Sequence, residues 1–164
     1  MRMCFVIQSI IKTMHILSSA FKNTDPIPKK YTCDANPLTR GINPPLSISD
    51  VDQNAKSLVL IVDDPDAPGG TWVHWVVWNI RPDTREITEG SVPEGAAQGK
   101  TNRAHSYHGP CPPSGVHRYF FKLYALDTML SIPLASGAKD VIEAMEGHIV
   151  ADAKIMGTYE KKER

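Results

Sequence analysis

Two short stretches hold most of the side chains able to do chemistry, DDPDAPGGTWVHWVVWN at 63–79 and HSYHGPCPPSGVHRYFF at 105–121. Each sets polar residues where an apolar, strand-like run meets a proline-rich loop. Asp64 closes the run SLVLIV, and its simplest reading is a carboxylate that caps the following turn. His74 sits among Val and Trp, where a lone imidazole is commonly a satisfied core residue. Strand alternation puts it on the face of Val76, Trp78 and Ile80. The weighing changes because His117 opens a further strand-like run and shares a face with Tyr119 by the same two-residue rule. If these runs lie in one sheet, Asp64, His74, His117 and Tyr119 converge at one mouth. Imidazole N–H and phenol O–H groups donate hydrogen bonds, and free backbone N–H groups around Gly109 and Gly115 would add more. A carboxylate such as Asp64 can fix which imidazole nitrogen holds the proton. That set suits a phosphate-sized anion. Pro68, Pro110, Pro112 and Pro113 would stiffen the walls and Trp72 would form an apolar lip, so the mouth suits a charged head joined to something apolar.

Three runs must position these groups: SLVLIV at 57–62, VHWVVWNI at 73–80 and HRYFFKLYAL at 117–126, all rich in β-branched or aromatic residues. The first two are apolar on both faces, as central strands covered on both sides would be. From Asn23 to Asp50 the chain is dominated by Pro, Asn, Asp, Thr and Ser, and reads as a long loop with one short edge strand near Lys30–Thr32. Near the end, Val141, Ile142, Met145 and Ile149 recur at helical spacing, predicting a helix from about Ala138 with Ser136 as its N-cap. The stretch 153–159 reads as a closing strand. The sum is a mainly β fold of antiparallel strands with one or two short helices, one of them near the C-terminus.

The composition narrows the function classes. In 164 residues, 18 Lys and Arg balance 18 Asp and Glu, which argues against a nucleic-acid binder, since that affinity scales with cations presented. No apolar run approaches the ~18 residues of a membrane span. Cys4, Cys33 and Cys111 are odd in number and form no C-x-x-C pair, so they do not read as a disulfide framework, and a reducing, cytoplasmic setting is expected. A secretory-signal reading of MRMCFVIQSIIKT is set aside: Gln8 and Ser9 interrupt its apolar stretch, Lys12 follows it, and Met14 offers a second start. Residues 1–13 read as an upstream extension or disordered tail, and 14–164 as a single domain. A cysteine hydrolase would use Cys111 with His108 or His117, but Cys111 lies between Pro110 and Pro112, away from any helix N-terminus that would activate it. A metal site built from His105, His108, Cys111 and His117 matches no strong ligand spacing. No metal and no cofactor is therefore expected.

The ordered motifs D-P-D-A-P, W-x-H-W and G-P-x-P-x-x-G-x-H-R-Y, followed by an aromatic strand and A-L-D, resemble the phosphatidylethanolamine-binding protein family, also called the Raf kinase inhibitor protein family. The ending AMEGHIVADAKIMGTYEKK looks like its shorter bacterial and archaeal branch. The resemblance implies two packed antiparallel sheets and a small cavity for phosphate, phosphorylethanolamine, acetate or similar anions. Carried onto matching positions, it implies that Asp64, Pro68, Trp72 and His74 bind the ligand, together with Gly109, Pro110, His117 and Tyr119. It also implies a cis Ala67–Pro68 peptide and a structural role for Arg118. The expected function is non-enzymatic binding of a small anion or phospholipid headgroup. The alternative is inhibition or regulation of a protein kinase through its surface, or inhibition of a serine protease through the exposed loops Asn23–Asp50 or Glu86–Asn102. The chain departs from the family where CDANPLTRGINPPLSIS carries additional residues and Ile48 replaces the usual Trp, and where Gly69 and Gly70 follow D-A-P. Those departures alter the loop that borders the expected cavity.

Overall fold

The computed structural model describes residues 13–36, 38 and 40–161, so the reading of residues 1–12 as an extension lies outside it. Among the described residues, eight strands form two antiparallel sheets. The larger has five strands in the order β6-β4-β3-β7-β8: β3 (Ser57–Asp64), β4 (Trp72–Ile80), β6 (Ala97–Gln98), β7 (Val116–Leu126) and β8 (Ile149–Glu160). The smaller has three in the order β1-β2-β5: β1 (His15–Leu17), β2 (Leu46–Ser49) and β5 (Glu86–Ile87). One helix, α1 (Ala138–Met145), precedes β8.

The two apolar faces of β3 and β4 are both used. Leu58, Leu60, Val62, Trp75 and Val77 pack with Tyr119, Phe121 and Leu123 of β7 against Ile16, Leu46 and Ile48 of the small sheet. On the opposite face, Val59, Ile61, Val76 and Trp78 are covered by Val141 and Met145 of α1. Every residue of β3 is buried in consequence. At roughly 1.5–3 kcal/mol per large apolar side chain buried, this spine holds the sheet ends where the polar residues sit.

Several sequence expectations are corrected. Lys29–Tyr31 is a 3-10 turn instead of an edge strand at 30–32, while β2 emerges from the stretch read as loop. Its alternation of buried Leu46 and Ile48 with exposed Ser47 and Ser49 supplies a face for the core. The helix begins as expected, but its N-cap is Gly137, whose N–H donates to the Asp140 carboxylate at 2.9 Å, whereas Ser136 lies one residue too early. No peptide bond among the described residues is cis, so Ala67–Pro68 is trans; Gly69 and Gly70, with φ of 83° and 122°, turn the chain instead. Cys33 and Cys111 form a disulfide across a sequence separation of 78. That pairing overturns the reading of unpaired cysteines and removes the ground for expecting a reducing compartment, because disulfides persist mainly in oxidising settings. None of the described helices is long and apolar enough to cross a membrane.

The face assigned to His74 is also corrected. Val62 pairs with Trp75, yet the next β3 residue, Asp63, pairs with Val73, so β4 carries one extra residue at this point. This bulge breaks the alternation. Val76 and Trp78 pack under the helix, whereas the His74 ring meets Tyr119, which belongs to the inter-sheet core. A second shift, between Leu58 and Leu60, brings Ile80 to the inter-sheet side as well.

Candidate functional site

The site begins at the end of β3. Asp64 is buried and both its oxygens are in use: Oδ1 accepts the Asp66 N–H at 2.8 Å, and Oδ2 meets His117 Nδ1 at 2.8 Å. The first bond makes Asp64 the turn cap that the sequence suggests. Two positions on, Asp66 accepts from the backbone N–H, Nε and Nη2 of Arg118 at 2.8–2.9 Å. His117 and Arg118 leave β7 on opposite faces, so the D-P-D turn is held from two sides. The Arg118 guanidinium holds the Asp66 carboxyl at about 2, well under the usual carboxylate range. This turn presents Ala67 and Pro68 to a cavity of about 330 Å³.

The bulge in β4 supplies the second wall. His74 Nδ1 lies 2.8 Å from the carbonyl oxygen of His108. A carbonyl only accepts, so Nδ1 carries the proton and the lone pair of the neutral ring sits on Nε2. The backbone of His108 returns the contact, its N–H donating to the His74 carbonyl at 3.2 Å. Their rings are 4.5 Å apart, and Trp72, 37% exposed, meets His108 edge-on at 6.4 Å as the outer lip. Burial, with His108 adjacent, pushes the His74 imidazole down to about 3. Burial and the positive charge of Arg103 push His108 down to about 4. Both rings are therefore neutral near pH 7.

Tyr119, from β7, forms the floor. Its hydroxyl is buried and makes no close hydrogen bond, with Asp64 and the Cys111 backbone as its polar neighbours; His108 Nε2 is also buried without a close partner. Burial first, then the negative charge of Asp64, raises the Tyr119 phenol well above its ordinary value. A buried donor without a partner costs about 1–3 kcal/mol. Tyr119 is among the residues that line the cavity.

The third wall is the segment 103–113, fixed from behind. Cys111 lines the cavity and is tied to Cys33. Cys33 N–H donates to the Pro110 carbonyl at 3.1 Å, Gly109 N–H to the Arg40 carbonyl at 2.8 Å, and the Tyr107 hydroxyl to the Tyr31 carbonyl at 2.9 Å. The Gly109 N–H is thus spent and cannot serve as the free donor that the sequence suggested. Gly109 also lacks room for a side chain, since a Cβ there would meet the Tyr31 carbonyl oxygen and stand 2.5 Å from Thr32 Cα. Gly109→Ala should cost about 1–3 kcal/mol by overpacking against backbone that cannot yield. Urea denaturation measures it, and a loss under 0.5 kcal/mol, order of magnitude, would contradict this packing.

Of the eight residues implied by the resemblance, Asp64, Pro68, Trp72, His74 and Tyr119 line the cavity. His117 stands one layer behind, orienting Asp64, and Gly109 and Pro110 lie in the backing of the third wall. The sequence reading omitted Arg103, Ala67 and the wall positions of His108 and Cys111. From sequence, His108 and Cys111 stand out only as candidates for a metal or hydrolase site. Cys111 in a disulfide offers no thiolate, and among the described residues no group of three or more His, Cys, Asp or Glu side chains could hold a metal ion.

Fold and site together define a protein of two antiparallel sheets, with an open cavity walled by histidines and prolines at the end of its central strands. The chain belongs to the phosphatidylethanolamine-binding protein family, whose family model matches residues 17–160, and within it to the bacterial and archaeal branch. It is 48% identical over 154 residues to a UPF0098 protein of Methanothermobacter thermautotrophicus, covering 90% of this chain and 99% of that one. A UPF0098 protein of Chlamydia trachomatis is 46% identical over 153 residues, covering 90% and 99%. Among solved structures, the phosphatidylethanolamine-binding protein homolog CT736 of Chlamydia trachomatis matches with a TM-score of 0.85 at 46% identity, over 92% of this chain and 99% of that one. Escherichia coli YbcL, described as a new member of the mammalian phosphatidylethanolamine-binding protein family, matches with a TM-score of 0.82 at 28% identity, over 91% of this chain and 99% of that one.

Proposed function

We propose that the protein is a non-enzymatic binder of small anions of the phosphate or phospholipid-headgroup type. The observation that carries this reading is the buried Tyr119 hydroxyl, unpartnered at the floor of an open cavity that also has Arg103 in its wall. A hydroxyl donor and a guanidinium are what an anionic oxygen needs on leaving water. The volume, about 330 Å³, lies at the small end of ligand cavities and suits a headgroup more than a whole lipid. Trp72, Pro68 and Pro113 give the mouth an apolar rim for whatever the anion is attached to. The non-enzymatic part of the proposal rests on the wall chemistry. Asp64 and His117 form an oriented carboxylate and imidazole pair, but the wall beside them carries neither a serine nor a free thiol for such a pair to activate.

Calorimetric titration with phosphorylethanolamine tests the reading. Saturable binding is expected, and Tyr119→Phe should weaken it by about 1.5–3 kcal/mol, the range for hydrogen bonds to charged groups. Unaltered affinity in that variant, or no saturable heat with either phosphorylethanolamine or inorganic phosphate, would overturn it.

A further inference from the structure

The polar atoms offered to the cavity are not all donors. His74 spends its only proton-bearing nitrogen on the His108 carbonyl at 2.8 Å, so the atom left for a ligand is the Nε2 lone pair. No described residue donates to that nitrogen, and His74 as a whole is 4% exposed. Asp64, in the same wall, is a carboxylate whose oxygens already serve Asp66 and His117. Next to these acceptors stand the Tyr119 hydroxyl, without a hydrogen bond, and Arg103. A fully deprotonated anion would satisfy the hydroxyl and the guanidinium. Its remaining oxygens would then face a lone pair and a carboxylate, with no proton between them.

We infer that the cavity selects anions carrying a proton of their own, as hydrogen phosphate and the protonated form of a phosphate monoester do, with the P–OH donating to His74 Nε2. The inference rests on the anion-binding reading above and narrows it. Phosphate diesters, which carry no such proton, fit less well than hydrogen phosphate or a singly protonated monoester, and a monoester dianion shares their deficit. Low-pKa imidazoles are consistent with this arrangement, because they keep Nε2 an acceptor across the physiological range. The other charged groups around His74 leave the balance unchanged: Arg103 is a fixed cation on the 103–113 wall, Arg40 lies behind it, and Asp64 with His117 closes the β3 and β7 side.

Phosphate and sulfate separate the two cases, since near pH 8 both are doubly charged tetrahedral anions of similar size and only phosphate carries a hydrogen. Competition calorimetry on the full chain should give sulfate at least roughly 10-fold weaker binding than inorganic phosphate, because sites built around a ligand donor reject analogues that lack it. Glycerophosphorylethanolamine, a diester, should also bind more weakly than phosphate. His74→Asn keeps a donor for the His108 carbonyl while removing the Nε2 acceptor, and the phosphate-to-sulfate ratio should fall towards one. Should that variant not fold, the ratio in the unaltered protein still decides. Equal binding of phosphate and sulfate would overturn this inference and leave the anion reading standing, whereas binding of neither would overturn both.

Discussion

Replacing both Cys33 and Cys111 by serine should lower the unfolding free energy by about 4 kcal/mol. The cross-link spans a separation of 78 residues, and closing a loop of that length removes roughly this much chain entropy from the unfolded state. Against a typical total of about 5–15 kcal/mol, the loss is a large share. The folded state should change little, because three hydrogen bonds join the same two segments without the sulfurs: Cys33 to Pro110, Gly109 to Arg40 and Tyr107 to Tyr31. The expected signature is therefore an unaltered near-native spectrum with an earlier urea midpoint. Either single serine variant should lose nearly as much as the double, since each alone opens the ring. Wild-type protein in excess reductant should match them. A double variant within about 1 kcal/mol of wild type would show that the unfolded chain is constrained by something other than this bond.

The reason this cross-link escapes a sequence reading is that pairing is a tertiary fact. Nothing local to Cys33 or Cys111 marks the other, and an odd cysteine count argues against a framework. The spine was legible for the opposite reason. β3, β4 and β7 are decided by runs of β-branched and aromatic residues, and α1 by spacings of three and four at Val141, Ile142 and Met145. β2 carries a readable alternation at Leu46–Ser49, but Pro44 and Pro45 directly before it outweighed four residues of pattern.

At the site, motif residues in β3, β4 and β7 could be placed at a common sheet end because strand direction and alternation fix them. The bulge in β4 could not, since W-V-H-W reads the same with or without an extra residue in the ladder. The third wall was illegible for a related reason. Arg103 and His108 reach the cavity because the His108 N–H pairs with the His74 carbonyl, a contact made across 34 positions with no local signature.

Stability should fall as pH drops from about 7 to 5, before most carboxylates begin to titrate, and His74 and His108 should cause much of that fall. Their folded values, about 3 and about 4, lie below the ordinary 6.5 of an exposed imidazole. Above 6.5 both folded and unfolded forms are neutral and neither ring affects the balance. Below it the unfolded chain binds protons that the buried rings refuse, so protonation favours unfolding until the folded values are reached. At pH 5 the linkage amounts to about 2 kcal/mol for each ring, about 4 kcal/mol for the two. Asp63, raised by burial, works in the other sense at lower pH, where its readier protonation favours the folded form. Asp66, held near 2 by Arg118, loses its exposed ion pair only in stronger acid and contributes little in this window. Urea midpoints at pH 7.5 and pH 5, order-of-magnitude settings on either side of 6.5, measure the effect. In His108→Gln, which has no proton to take up, the difference between the two should shrink by about 2 kcal/mol. An undiminished difference in that variant would mean that water reaches the His108 ring and that the wall of the cavity is looser than its packing implies.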